Sequence, residues 1–414
     1  MHKDFFITNR NHLYEELKDE SLLILFGGKA PQKSADEAYK FVPNRNFYYI
    51  TGIDEPNIIF IARKKGSKVE EFLFIEKSDP VLEKWVGKSI TISEAIEASG
   101  IENILYLDQF ESTLSQTLIS ESVFHVYLDL ERRELDSTST KAQQFASKIQ
   151  TNYPYVHINN VYPVISELRV YKKPEEIEKI KKAIEITQNG IRNVMKHAKP
   201  GMKEYQLEAH FDFILNSEGV KEHAFPTIVA SGGNGTVLHY EKNNAFAEDG
   251  TLVLLDLGAQ FEYYNADISY TFPVNGKFTE KQKMYYNIVL KALRETTALI
   301  KPGVPFAKLN EMTKKVLADE CIKVGLIKEE HEISEYYYHG VSHFLGLDTH
   351  DVGSYKDLVL QPGMVLTVEP GLYIADEEIG IRIEDDVLVT EAGYEVLTKD
   401  IIRSVEDIEA FMQK

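Results

Sequence analysis

The chain has 414 residues, 43% of them hydrophobic and 27% charged, the composition of a globular protein too long for one ordinary core, so two domains are expected. Its 65 acidic against 46 basic residues give a net charge of -19, which argues against nucleic acid and anionic membrane surfaces as partners. Cys321 is the single cysteine, which excludes an internal disulfide framework; no apolar run approaches membrane-spanning length, and the opening MHKDFFITNR lacks a signal-peptide core, so a cytoplasmic location is expected.

Short apolar runs alternate with helical stretches through the first 160 residues. SLLILF (21–26), FYYITG (47–52), NIIFIA (57–62), EFLFI (71–75), ILYL (104–107) and FHVYLDL (124–130) read as strands, and 91–100 and 141–150 as helices, the former stopped by Gly100. This predicts an α/β domain with a mixed sheet over 1–160. GGKAPQKS lacks phosphate-loop spacing and reads as an ordinary loop. The stretch 161–173 shifts in composition and reads as a linker. Pro174 then opens an amphipathic helix with Ile177, Ile180, Ile184, Ile191 and Met195 near one stripe, the start of a second domain over 174–414.

That second domain repeats itself. A helix, Lys199-Pro200-Gly201 and a helix over 203–217 are followed by strands; a helix capped by Thr279 with Gln282 three residues on, then Lys301-Pro302-Gly303 and another helix, are followed by strands again. Gly250, Asp256 and Gly258 have the spacing of Gly363, Glu369 and Gly371, and each half then offers a second acid, Asp267 or Glu384. A hairpin turning near Phe261–Glu262 would set Asp256 and Asp267 opposite each other, about 5 Å apart at Cβ.

Like charges so close need a cation between them or a proton on one. Ionised carboxylates do not enter an apolar interior unpaired, and four of them balance two divalent cations. On GIRIEDD, Arg382 and Glu384 share one face and Ile381 and Ile383 the other, so a charged face lines a site while an apolar face packs. Taken singly, such acids are ordinary turn or ion-pair residues; the inference rests on Asp256, Asp267, Glu369 and Glu384 with His343 in matching halves. Four carboxylates and one imidazole suit Mn²⁺ first, with Co²⁺ or Zn²⁺ as alternatives, and two such ions would hold a bridging hydroxide. His239, His339 and His350 gather near these motifs and suit substrate hydrogen bonding and proton carriage.

HGVSHFLGLDTHDVG, TVEPGLYI, GIRIEDDVLVT and LLDLGAQFEYYNADISYTFPV resemble the pita-bread metallopeptidases, the aminopeptidase P branch first and prolidase next, and SADEAYKFVPNRNFYYITGIDEPNIIFIA resembles their front domain. The resemblance implies an α/β (α+β) fold, a creatinase/aminopeptidase P-like mixed-sheet domain followed by a pita-bread domain with a pseudo-two-fold repeat. It implies hydrolysis of an N-terminal Xaa-Pro bond by a metal-bridging hydroxide. Asp267 and Glu384 would bridge two metals; Asp256 would bind one, and His343 and Glu369 the other. Glu369 would be the general base, with His239, His350 and Arg382 supporting catalysis. His239, His339, His350 and Tyr48 would meet the peptide. A homo-oligomer, dimer or tetramer, is implied as well. Two departures stand out: Gly233 replaces an acid common in SGGNG-type stretches, and Tyr48 takes a place where relatives carry tryptophan. The alternatives are a prolidase cutting only Xaa-Pro dipeptides and a non-catalytic pita-bread binding protein.

Overall fold

The apolar runs of the first half assemble side by side. The computed structural model describes residues 1–81, 83–120 and 123–413, and the chain divides between Arg169 and Val170 into two compact units. In the first, six strands form one mixed sheet in the order Ile104–Tyr106, Lys68–Ile75, Ile59–Lys65, Ser21–Phe26, His125–Leu128, His157–Asn160. Ser21–Phe26 lies inside the sheet, antiparallel to Ile59–Lys65 with Ile24 opposite Ile61, and parallel to His125–Leu128 with Leu23 opposite Tyr127. Covered on both faces, it is buried at every position, which is why it reads as a continuous apolar run rather than an alternating one.

One expected strand is a helix. FYYITG belongs to Arg45–Thr51, because Asn44 accepts the Phe47 N–H at its start and Gly52 closes it in the left-handed conformation at φ 71°. The aromatic and β-branched residues favour a strand locally, but the two caps and burial of Phe47, Tyr48, Tyr49 and Ile50 against the core decide for the helix. Within 161–173 the chain forms the helix Tyr162–Val170, with Pro163 in its first turn, where a missing N–H is no loss.

The second unit contains the same order of elements twice. Pro174–His197 packs with Glu204–Ser217, and Glu280–Thr297 with Ala307–Lys323. The first pair precedes a sheet of Ile228–Ser231, Leu252–Leu257 and Ile268–Pro273; the second precedes one of Val365–Val368, Asp385–Thr390 and Gly393–Val396 and the hairpin Gly371–Ile374/Ile379–Arg382, whose second strand packs against Leu252–Leu257 and Ile268–Pro273 of the first sheet. The expected hairpin register is off by two. Glu262 and Tyr263, at φ 47° and 72°, make the turn, so Asp256 pairs with Ser269 and not with Asp267. Two residues is one full side-chain period, so Asp267 keeps the face expected of it and sits diagonal to Asp256.

Among the described residues, no helix is long and apolar enough to cross a membrane.

Candidate metal centre

Each acid reaches the centre from the end of a strand. Asp256 is the next-to-last residue of Leu252–Leu257, Asp267 immediately precedes Ile268–Pro273, Glu369 follows Val365–Val368, and Glu384 lies between Ile379–Arg382 and Asp385–Thr390. The HGVSH segment runs alongside Val365–Val368: Glu369 donates its N–H to the Val341 carbonyl at 2.9 Å, Thr367 to His343 at 3.0 Å, and Leu345 to Val365 at 3.1 Å. That pairing brings His343 next to Glu369, with His343 Nε2 3.6 Å from Glu369 Oε1 and 3.3 Å from Asp267 Oδ2. Ser269 joins the halves, because its N–H and Oγ–H both donate to Glu384 Oε2, at 2.9 and 2.8 Å, while its carbonyl accepts the Glu384 N–H at 3.0 Å.

Asp267, His343 and Glu384 each offer a ligand atom within 4.8 Å of the other two, a spacing one cation can span. The His343 Nδ1–H donates to the Phe344 carbonyl at 3.0 Å, which in the neutral imidazole leaves the Nε2 lone pair facing the carboxylates. Arg382 is buried and its guanidinium makes three bonds, to Asp256 Oδ2 at 2.6 Å, Ser269 Oγ at 2.7 Å and Tyr373 OH at 3.1 Å. Tyr373 in turn donates to His339 Nε2 at 2.8 Å, and the His339 Nδ1–H donates to the Gly340 carbonyl at 2.8 Å, so both nitrogens of His339 are engaged. His350, exposed, meets the His343 ring edge-on at 4.4 Å between centroids. His239 is exposed on the turn after Gly232–Thr236, close enough for its charge to depress His339. Tyr48 belongs to the first unit, where it is buried and edge-on to Phe6.

The charges fit a cation site. Among the described residues, Asp256 Oδ1 and Glu384 Oε1 are buried with no hydrogen-bond partner, a costly state for a carboxylate oxygen unless a cation completes it. Burial pushes Asp267 up to about 6 and Glu369 up to about 7, and lifts Glu384 well above the carboxylate range, with the neighbouring acids adding to Glu384. Burial pulls the His343 imidazole down, but its hydrogen bond to Asp267 and the charges of Asp267 and Glu369 carry it to about 9. Burial holds His339 near 4 and so neutral. Carboxylate oxygens with one imidazole are the donor chemistry of a hard or borderline divalent ion.

A pH dependence follows for the metal-free protein. Up to about pH 7 Glu369, and from about pH 6.5 to 9 His343, hold in the fold protons that the unfolded chain has released, so the native state binds more protons and stability falls as pH rises. His339, depressed, acts with the opposite sign only below its ordinary value near 6.5. Divalent cation displaces those same protons, so its affinity rises with pH. Melting temperatures at pH 6.5, 8 and 9 should fall for the stripped protein and hold or rise with Mn²⁺; a stripped protein that grows more stable across that range contradicts the charge arrangement.

Several contributors carry weak sequence signals. Ser269 lies two residues after Asp267 on the same strand face, so its position was readable from strand period but its role was not. Asp386, fully buried, accepts the Asp267 N–H at 3.3 Å, and burial lifts its carboxyl far above the usual range. Gly380, beside Arg382, allows close approach of two backbones: a Cβ there would lie 2.0 Å from the Gly235 carbonyl oxygen. Gly380→Ala should therefore destabilise the fold by about 1–3 kcal/mol and reduce activity, read by thermal melt and turnover; an unchanged melting temperature would mean that contact is slack.

The sequence matches the model of metallopeptidase family M24 over residues 178–391 and that of the aminopeptidase P N-terminal domain over 6–127. It is 35% identical over 432 residues to a Xaa-Pro aminopeptidase of Escherichia coli (strain K12), covering 98% of this chain and 97% of that one. It is 31% identical over 470 residues to a Xaa-Pro dipeptidase of Homo sapiens, covering 98% and 93%. A solved structure from Bacillus anthracis, provisionally described as an aminopeptidase P, is 64% identical, with 100% and 99% covered and a TM-score of 0.99.

Proposed function

The chain belongs to metallopeptidase family M24, and from that premise we propose that it hydrolyses the N-terminal Xaa-Pro peptide bond of peptides with proline in second position. The observation that carries this reading is the convergence of Asp267, His343 and Glu384 in a chain matched almost end to end by a Xaa-Pro aminopeptidase. Asp256, Asp267, His343, Glu369 and Glu384 would hold two divalent cations, Mn²⁺ before Co²⁺ or Zn²⁺. When bound, such ions supply Lewis acidity that polarises the scissile carbonyl and makes a water easier to deprotonate. Glu369 takes a proton from the water that attacks the carbonyl carbon. Arg382 fixes Asp256 directly and His339 through Tyr373. His239 and His350 reach the peptide with exposed imidazoles; His339 would have to exchange its bond to Gly340 or Tyr373 to do so.

The residues 1–160 form the front domain and 174–414 the catalytic domain in this reading, joined through 161–173. The protein works in the cytoplasm as a homo-oligomer, a dimer or tetramer. The second reading, a Xaa-Pro dipeptidase, draws on the human dipeptidase match. A peptide-length series with added Mn²⁺, Co²⁺ or Zn²⁺ separates them. Cleavage of Xaa-Pro-Xaa and longer peptides, fastest with Mn²⁺, is expected. Cleavage of dipeptides alone would select the dipeptidase, and a folded, metal-loaded protein cutting neither would select a non-catalytic binding protein.

A further inference from the structure

Glu204 opens the helix Glu204–Ser217 with its side chain wholly buried. Its carboxylate accepts five hydrogen bonds from a single stretch, 231–245. At Oε1 the donors are the Ser231 N–H and Oγ–H, both at 2.7 Å, and Asn234 Nδ2 at 3.0 Å; at Oε2 they are Tyr240 OH and the Ala245 N–H, both at 2.8 Å. Five donors around one buried anion exceed what packing alone would need, and a buried charge held this way fixes its partners more tightly than neutral bonds would. On its other side the same stretch rests against the strand bearing Arg382, where the Gly235 carbonyl allows no Cβ at Gly380. Between the two anchors, next to Tyr240, projects the exposed His239.

We propose that Glu204 is a positioning residue for peptide binding: by holding Ser231 and Asn234 before His239 and Tyr240 and Ala245 after it, its carboxylate sets where the His239 imidazole stands at the metal centre. This deepens the reading of His239 as a peptide contact and rests on it. Glu204 touches neither peptide nor metal in this account. Glutamine cannot reproduce its role, because its amide NH₂ would face a donor at one end of the fork.

A double-mutant cycle with a spectroscopic arm tests this. Glu204→Gln, His239→Ala and the double variant are assayed on an Xaa-Pro-Xaa peptide with Mn²⁺, alongside bound-metal analysis. Glu204→Gln should keep its metal and lose roughly tenfold or more in kcat/KM, within the range of outer-sphere substitutions. The double variant should be no worse than His239→Ala alone, because both changes remove one unit. Should Glu204→Gln fail to fold, Tyr240→Phe deletes one of the five bonds; its smaller loss, severalfold, should vanish in the His239→Ala background. In parallel, imidazole NMR of the metal-free protein should show the His239 ring signals shifted or broadened by Glu204→Gln or Tyr240→Phe, with those of His12 in the first unit unmoved. Multiplying losses, loss of metal, or an unperturbed His239 ring would each overturn the proposal. A wild-type protein inactive on every Xaa-Pro peptide would instead overturn the functional reading, and the NMR arm would still decide the positioning role.

Discussion

Glu384→Ala is expected to remove both turnover and tight metal binding. Glu384 lies between two strands at the junction of the halves, with one oxygen held by Ser269 and the other, Oε1, buried and without a hydrogen-bond partner among the described residues. The partnered oxygen orients the group, and in the proposed centre the other would be left to a cation. Outer-sphere substitutions typically cost about 10–100-fold in metal affinity or activity, so loss of a ligand should exceed a hundredfold in kcat/KM. Metal analysis should show depleted binding, and added Mn²⁺ should raise the melting temperature of the unmodified protein but not of the variant. His350→Ala provides the contrast. Its ring packs on His343 from an exposed position, so that variant should keep its metal and slow hydrolysis. Equal metal loss in both would mean that His350 is itself a ligand.

Arg382→Ala should give the largest loss of stability. The guanidinium is buried and bonds Asp256, Ser269 and Tyr373 at once. Removing it strands the Asp256 carboxylate and adds to the net negative charge of the cluster. Breaking a buried pair by deleting one partner costs about 3–5 kcal/mol, and for a unit of this size that corresponds to roughly 6–20 °C in melting temperature. Divalent cation can replace part of the lost positive charge, so the deficit should be smaller with Mn²⁺ than in the stripped variant. Arg382→Lys should recover only part of it, because one ammonium cannot reproduce a planar fork aimed at three partners. A stripped Arg382→Ala protein melting within a degree or two of the unmodified one contradicts this view of the centre.

Much of this was readable from the chain because the signals are periodic or local. Glycine-flanked acids at matched spacing in two halves exposed the repeat, and Thr279 with Gln282 gave a helix start that the structure reproduces as a capping box. The helix at Arg45–Thr51 was hidden because its side chains favour a strand while the deciding groups, Asn44 and Gly52, flank the run. The hairpin register is not legible in the sequence because two non-glycine residues, Glu262 and Tyr263, make its left-handed turn, where glycine or asparagine would mark the place. The Glu204 network and the link from Arg382 through Tyr373 to His339 join residues distant in the sequence by side-chain bonds, which have no period to detect.

Anomalous X-ray scattering from crystals equilibrated with Mn²⁺ reads directly where cations sit. Two manganese peaks are predicted, both enclosed by Asp256, Asp267, His343, Glu369 and Glu384. Ordered side chains with no peak among them, or manganese bound only elsewhere on the chain, would contradict the account.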